Sequence, residues 1–308
     1  MKIKLSLILL LMVGCCIHLQ AQQFIPLWPK DKRLNFNGQA VSDTVYQERT
    51  WRVGIPGIYL FPAAPAINTG TAVLVCPGGG YERISHVYNG FVVAQWFNAR
   101  GINAYVLIYR LPHQADLVDR ALAPLQDAQR AMRIIRSKAK EWGLHPGKIG
   151  MFGTSAGGHL VSTAATHLKD VSAIKDSLDG ISYTADYTIL ISPVISMGEF
   201  AHKGSRQHLL GPNPSKEAVE SYSSELQVSV QTPPAFIVHA LNDITVPVKN
   251  SMLFYDALIA KKVNASLHVF PQGGHGIRMF DNPGSTVLFP ELMLLWMKEN
   301  RFLVKDEK

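Results

Sequence analysis

The feature that most constrains this chain is its alternation of short apolar runs with longer stretches of helical spacing. Apolar runs fall at 57–61, 71–76, 104–109, 148–152, 188–192, 235–239 and 266–270, and helix-like stretches at 90–100, 121–142, 156–167, 248–261 and 290–300. Strands that succeed one another through helices pair in parallel, because a crossover helix carries the chain back to the end where the last strand began. The pattern therefore predicts an α/β fold, a mostly parallel central sheet with helices on both faces, with the run at 57–61 joining an antiparallel edge. The second helical stretch is the clearest: Leu125, Ala128, Met132, Ile135 and Ala139 recur at three- and four-residue spacing, while Arg130, Arg133, Lys138 and Lys140 face elsewhere. The segment 196–229 contains prolines and has no strong period. It reads as an excursion from the sheet, a lid or substrate wall.

The chain has 308 residues, 47% of them hydrophobic, enough for one large core, so 22–308 is read as a single domain. Net charge is +7, but the charges are scattered, with no long basic run or interleaved aromatics, which argues against nucleic acid as a partner. Lys2 and Lys4, the apolar stretch 5–13 and Ala21 before Gln22-Gln23 predict a signal peptide over 1–21 and export to the periplasm or medium. The alternative is lipid anchoring at Cys15, in Met12-Val13-Gly14-Cys15. The apolar stretch is too short to span a bilayer. With the signal removed only Cys76 remains, so no internal disulfide forms, and its place after an apolar run predicts a buried thiol rather than a nucleophile.

Between the run at 148–152 and the helix at 156–167 lies Gly153-Thr154-Ser155-Ala156-Gly157, of the form G-x-S-x-G. A serine on a sharp strand-to-helix turn presents its hydroxyl clear of the sheet, and glycines two before and two after avoid collision with neighbouring backbone. A serine hydroxyl needs a base to accept its proton and an acid to orient that base. Asp243 follows the 235–239 run, and His275 lies in Gly273-Gly274-His275-Gly276 after the 266–270 run. Nucleophile, acid and base thus follow one another in chain order at three strand ends. Asp243 also suits a helix N-cap. His239, inside its run, reads as structural; Asp256 falls within a helix, and Glu225 is a weak substitute acid. Pro77-Gly78-Gly79-Gly80-Tyr81 follows the 71–76 run, and its glycines leave backbone N–H groups free to face an oxyanion. Gly79 or Gly80, with the N–H of Ala156, are the expected donors. Tyr81 and His159 are candidates for the pocket wall, with plain packing as the alternative. His202 and His208 lack accompanying ligands at metal spacing, and no phosphate loop is present, so neither a metal nor a cofactor is expected.

Together these residues resemble the α/β-hydrolase superfamily from about residue 57 to 296, in particular esterases with a His-Gly-Gly-Gly oxyanion loop. Residues 77–81, Tyr109-Arg110-Leu111-Pro112, 127–136, 153–159, Gly204-Ser205-Arg206 with Leu210-Gly211, and 239–247 are similar to secreted carbohydrate esterases of the acetylxylan and feruloyl type. The resemblance implies a serine esterase with Ser155 as nucleophile, Asp243 as acid, His275 as base, and Gly79, Gly80 and Ala156 at the oxyanion hole. Its substrate would be an acylated carbohydrate such as acetylated xylan. One departure is Pro77, where the loop usually begins with histidine. The rival readings are a feruloyl esterase, a serine peptidase or other small-ester hydrolase, and a non-catalytic binding module on the same fold.

Overall fold

A computed structural model describes residues 22–303. The expected signal peptide and Cys15 lie outside the described residues. Eight strands form one sheet: β1 (Phe24–Pro26), β4 (Gly57–Phe61), β5 (Ala72–Cys76), β6 (Asn103–Ile108), β7 (Ile149–Thr154), β8 (Thr188–Ile191), β9 (Ala235–Ala240) and β10 (Ala265–Phe270), in the order β1-β4-β6-β5-β7-β8-β9-β10. From β6 to β10 every pairing is parallel, while β1 and β4 add an antiparallel edge. A separate hairpin, β2 (Thr44–Tyr46) and β3 (Arg49–Arg52), lies outside the sheet. It was not anticipated from the sequence, and neither was β1, since three or four residues carry too little alternation to read.

The strands divide the core in two. Ala72, Leu74 and Cys76 of β5 point to one side, where they meet α2 (Leu122–Ser137), α3 (Ala156–Thr166) and α6 (Lys249–Ala260) through residues such as Met132, Leu160 and Phe254. Val73 and Val75 point to the other side, against α1 (Val92–Asn98) and α7 (Phe289–Glu299) through Phe97, Met293 and Trp296. The strict alternation is the two-residue period of a strand buried on both faces. Two further helices, α4 (Lys203–Leu210) and α5 (Lys216–Ser221), occupy the segment expected as an aperiodic excursion, capped by His202 and Ser215. Among the described residues no helix is long and apolar enough to cross a membrane.

The polar face of α2 departs from expectation. Arg130 and Arg133 turn away from the apolar stripe as the spacing predicts, yet they are almost wholly buried. The segment that follows α3 covers them. Arg130 pairs with Asp176, and Arg133 with Asp170 at 2.7 Å, while Arg136 lies 3.5 Å from Asp186. These carboxylates stand 37 to 50 residues further along the chain. Arg110, after β6, is fully buried with Asp127 of α2, its Nη2 2.8 Å from Oδ1 and its Nε 3.0 Å from Oδ2. Trp28 Nε1 donates to the same carboxylate at 2.7 Å. Buried charges persist only when so completely paired. The pair fixes the chain beside Tyr109, whose hydroxyl donates to Pro77 O at 2.9 Å and so ties down the start of the glycine loop.

Candidate active site

The carboxyl ends of β5, β7, β9 and β10 face one region, as ligand sites do in parallel sheets. β7 ends at Thr154 and α3 begins at Ala156, with Ser155 between them at φ 56° and ψ −123°. A non-glycine residue there is strained. Surrounding bonds hold it: the Ser155 N–H donates to Ile191 O at 3.1 Å, and Ser155 O accepts the N–H groups of His159 and Val194, each at 3.1 Å. The flanking glycines are required by close approach. A Cβ on Gly153 would lie 2.3 Å from Gly157 O, and one on Gly157 would lie 2.0 Å from Cys76 O, the last carbonyl of β5.

Asp243 and His275 reach Ser155 from separate loops. His275 Nδ1 lies 2.7 Å from Asp243 Oδ2, and His275 Nε2 lies 2.9 Å from Ser155 Oγ. With Nδ1–H donating to the carboxylate, Nε2 is the acceptor for the serine proton. Asp243 Oδ1 accepts the N–H groups of Thr245 and Val246, each at 2.9 Å. Burial pushes the Asp243 carboxyl up, but hydrogen bonds from His239 and His275 and the Val246 N–H outweigh it and hold the group well below the usual carboxylate range. Asp243 is thus a carboxylate at any pH where the imidazole could act as a base. Asp256 is exposed on α6, and Glu225 is turned to Ser196. Cys76 is fully buried, and burial raises its thiol far above its ordinary value.

The glycine loop curls over Ser155. Gly79 and Gly80 have φ of 139° and 68°, and a Cβ on Gly78 would lie 2.6 Å from Thr154 O, so the loop packs onto the turn that carries the serine. Gly80 O accepts from His208 Nδ1 at 3.0 Å, which ties the loop to α4. Gly79, Gly80, Ser155 and His275 line one cavity of about 530 Å³. Ala156 is buried at the first turn of α3, where backbone N–H groups have no intrahelical acceptor.

Tyr81 and His159 do not line this cavity. Both are buried, and the Tyr81 hydroxyl lies 2.8 Å from His159 Nδ1, while His159 Nε2 lies 2.7 Å from Tyr222 O. Since Nε2 must donate to that carbonyl, Nδ1 accepts the phenol proton. Burial lowers the His159 imidazole to about 4, so it is neutral. The packing alternative describes both residues: they brace the glycine loop from beneath, joining it to α3 and to Tyr222. Position in sequence beside a pocket motif does not tell the inner face of a loop from the outer.

The walls come from residues that sequence reasoning did not single out, or weighed only as metal ligands. They include Arg49 of β3, Tyr88, His202, His208 and Arg278. Among the described residues no group of three or more His, Cys, Asp or Glu could hold a metal ion. A second cavity of about 210 Å³ adjoins the first, sharing Tyr88, Asn89, Thr154, Ile277 and Arg278 and otherwise walled by side chains such as Val93, Phe152, Ile191 and Met279.

Comparison with known proteins agrees with this architecture. The BD-FAE family model matches residues 58–258. The chain is 40% identical over 205 residues to endo-1,4-beta-xylanase B of Butyrivibrio fibrisolvens, covering 67% of this chain and 32% of that protein. It is 36% identical over 217 residues to an acetylxylan esterase of Xylanibacter ruminicola, covering 69% of this chain and 42% of that protein. The chain therefore spans less than half the length of these curated relatives. An acetyl ester-xyloside bifunctional hydrolase from Caldicellulosiruptor lactoaceticus superposes with a TM-score of 0.79 at 34% identity, covering 92% of this chain and 98% of the other.

Proposed function

Since this chain belongs to the BD-FAE family of the α/β-hydrolase superfamily, we propose that it is a serine carboxylic-ester hydrolase that removes short acyl groups, acetyl foremost, from xylan-type polysaccharides or their oligosaccharides. The observation that carries this reading is the continuous hydrogen-bonded line from Asp243 through His275 to Ser155 Oγ, opening onto a glycine-lined cavity. A binding module has no use for such a line.

In the proposed reaction Ser155 Oγ attacks the ester carbonyl as its proton passes to His275 Nε2. The carbonyl electrons move to oxygen, which accepts hydrogen bonds from the N–H groups of Ala156 and of Gly79 or Gly80. Collapse of this adduct breaks the bond to the sugar oxygen, which leaves with the proton from His275. Water then attacks the acyl-serine and gives a proton to the same nitrogen; the adduct collapses to the carboxylic acid, and the proton passes from His275 to the departing Ser155 Oγ, which restores the free serine. Asp243 stays ionised throughout, holding the imidazole tautomer and offsetting its transient positive charge. The sequence over 1–21, read above as a signal peptide, would carry the protein to where polymeric substrate is met.

The smaller cavity favours a second reading. An acetyl group needs none of that apolar volume beside Thr154, whereas an aromatic acyl group would fill it. Acetate and ferulate release from acetylated and feruloylated xylo-oligosaccharides, with Ser155→Ala as control, separates the two. Acetate release lost in the variant supports deacetylation, and ferulate release moves the enzyme to the second reading. Release of neither from folded protein sinks both.

A further inference from the structure

The charge of the larger cavity has no role in hydrolysing a neutral ester. Its lining includes three arginines, Arg49, Arg83 and Arg278, and one acidic residue, Glu82. Glu82 is taken up by its neighbour Arg83, so that pair is neutral. Arg49 donates only to a backbone carbonyl, Gln47 O at 3.2 Å, and among the described residues no carboxylate pairs with it. Arg278 likewise has no carboxylate partner among the described residues, and its guanidinium lies 5.0 Å from the centroid of the Tyr88 ring. Two arginines without a carboxylate partner among the described residues therefore line the cavity that holds Ser155.

Their placement is two-sided. Arg49 stands on β3, which is joined to the segment just after the glycine loop by the bridge between Thr50 and Ile84. Arg278 follows His275 by three residues on the opposite loop. Tyr88, half exposed, offers an aromatic face beside Arg278, and a flat apolar face with an adjoining fixed cation suits a sugar ring that carries a negative group. Guanidinium groups bind carboxylates through paired N–H donors, so an anion of that shape is the natural counterpart.

We propose that this cavity recognises an acidic oligosaccharide, one in which a uronic acid carboxylate lies close to the acylated sugar and is held by Arg278 and Arg49 with Tyr88 beneath the ring. The inference rests on the esterase reading for its ester but not for its binding, and the test keeps the two apart. Calorimetry on the Ser155→Ala protein compares two acetylated xylo-oligosaccharides that differ only in a uronic acid branch beside the acetylated residue. The acidic ligand is expected to bind about tenfold more tightly at low ionic strength. That preference should collapse in Arg278→Gln/Arg49→Gln, and in about 1 M salt, where charges are screened within a few ångströms. Equal affinity for the two ligands at low salt overturns the proposal, as does a preference that survives the double substitution. If the cations served only to stabilise the oxyanion, the unreactive protein would bind both ligands alike. Failure of the esterase reading would show separately, as absence of acetate release by the unsubstituted protein.

Discussion

His239 Nε2 lies 3.3 Å from Asp243 Oδ2, the same oxygen that His275 Nδ1 approaches to 2.7 Å. Two imidazoles thus converge on one carboxylate oxygen, one buried in β9 and one half exposed over Ser155. His239 also lies 2.9 Å from Val246 O through Nε2 and 2.7 Å from Ser251 Oγ through Nδ1, so its Nε2–H donates and its Nδ1 accepts. A residue that reads as structural in the sequence is structural in a particular way: it fixes the Asp243 carboxylate against rotation.

His239→Phe should therefore act through orientation. We expect kcat to fall about 10- to 100-fold, the scale of a small misplacement of a reacting group, with KM little changed. Stability should fall by about 2 kcal/mol as Ser251 and Val246 lose their buried partner. Ester hydrolysis rates alongside denaturant unfolding check both; a variant that loses stability with kcat intact would show the contact to be packing alone.

The His159 imidazole, lowered to about 4 by burial, links stability to pH. An unfolded chain binds this proton near pH 6.5 while the folded chain does not, so the contribution is fully present above about pH 6.5 and is lost as pH falls toward about 4. Its size at neutral pH is on the order of 3 kcal/mol relative to pH 4. Other histidines, among them the buried His86 and the half-buried His268, act in the same direction. The expected result is that His159→Gln flattens the fall in unfolding free energy between pH 7 and 4.5, as measured by urea titration. An unchanged pH slope would count against it.

Ser155 keeps its strained backbone for the sake of its hydroxyl. Glycine adopts φ 56°, ψ −123° without cost, whereas alanine does not. Both Ser155→Gly and Ser155→Ala should be inactive, but the glycine variant should be the more stable by about 1 kcal/mol. Thermal unfolding of the two inactive proteins gives the answer directly, free of any effect of turnover.

Two glycines near the site should respond very differently to alanine. At Gly157 the new methyl would meet Cys76 O at 2.0 Å, backbone against a fixed strand, so Gly157→Ala should lose activity and cost more than about 3 kcal/mol. At Gly274, with φ +53° and open space around the Cβ position, the cost should be near 1 kcal/mol, set by backbone conformation alone. Parallel unfolding curves for the two variants test the contrast.

The sheet and the hydrogen-bonded line of Asp243, His275 and Ser155 were legible in the sequence because each is announced locally. Ser155 has strand before it, helix after it and glycines at fixed offsets, while Asp243 and His275 each follow an apolar run. What was not legible depends on distant partners. The burial of Arg130 and Arg133 rests on Asp176 and Asp170, far along the chain, and nothing at 130–133 announces them. Tyr81 and His159 lie beside the pocket motifs in sequence, yet the positive φ of Tyr81, 58°, accompanies a phenol directed under the loop. Arg49, Tyr88 and Arg278 meet only because the hairpin, the turn before α1 and the His275 loop are folded to one place.

Much of the cavity wall comes from segments outside the main sheet. Arg49 belongs to a hairpin outside the main sheet, and His202 and His208 to the excursion after β8. Ser155, by contrast, sits on the turn between β7 and α3, where Gly153 and Gly157 leave no space for a side chain. A protein so divided has a fixed engine and an interchangeable front. Under the proposed function, insertions or exchanges in the hairpin and the excursion would alter what the cavity admits while leaving the turn at Ser155 in place.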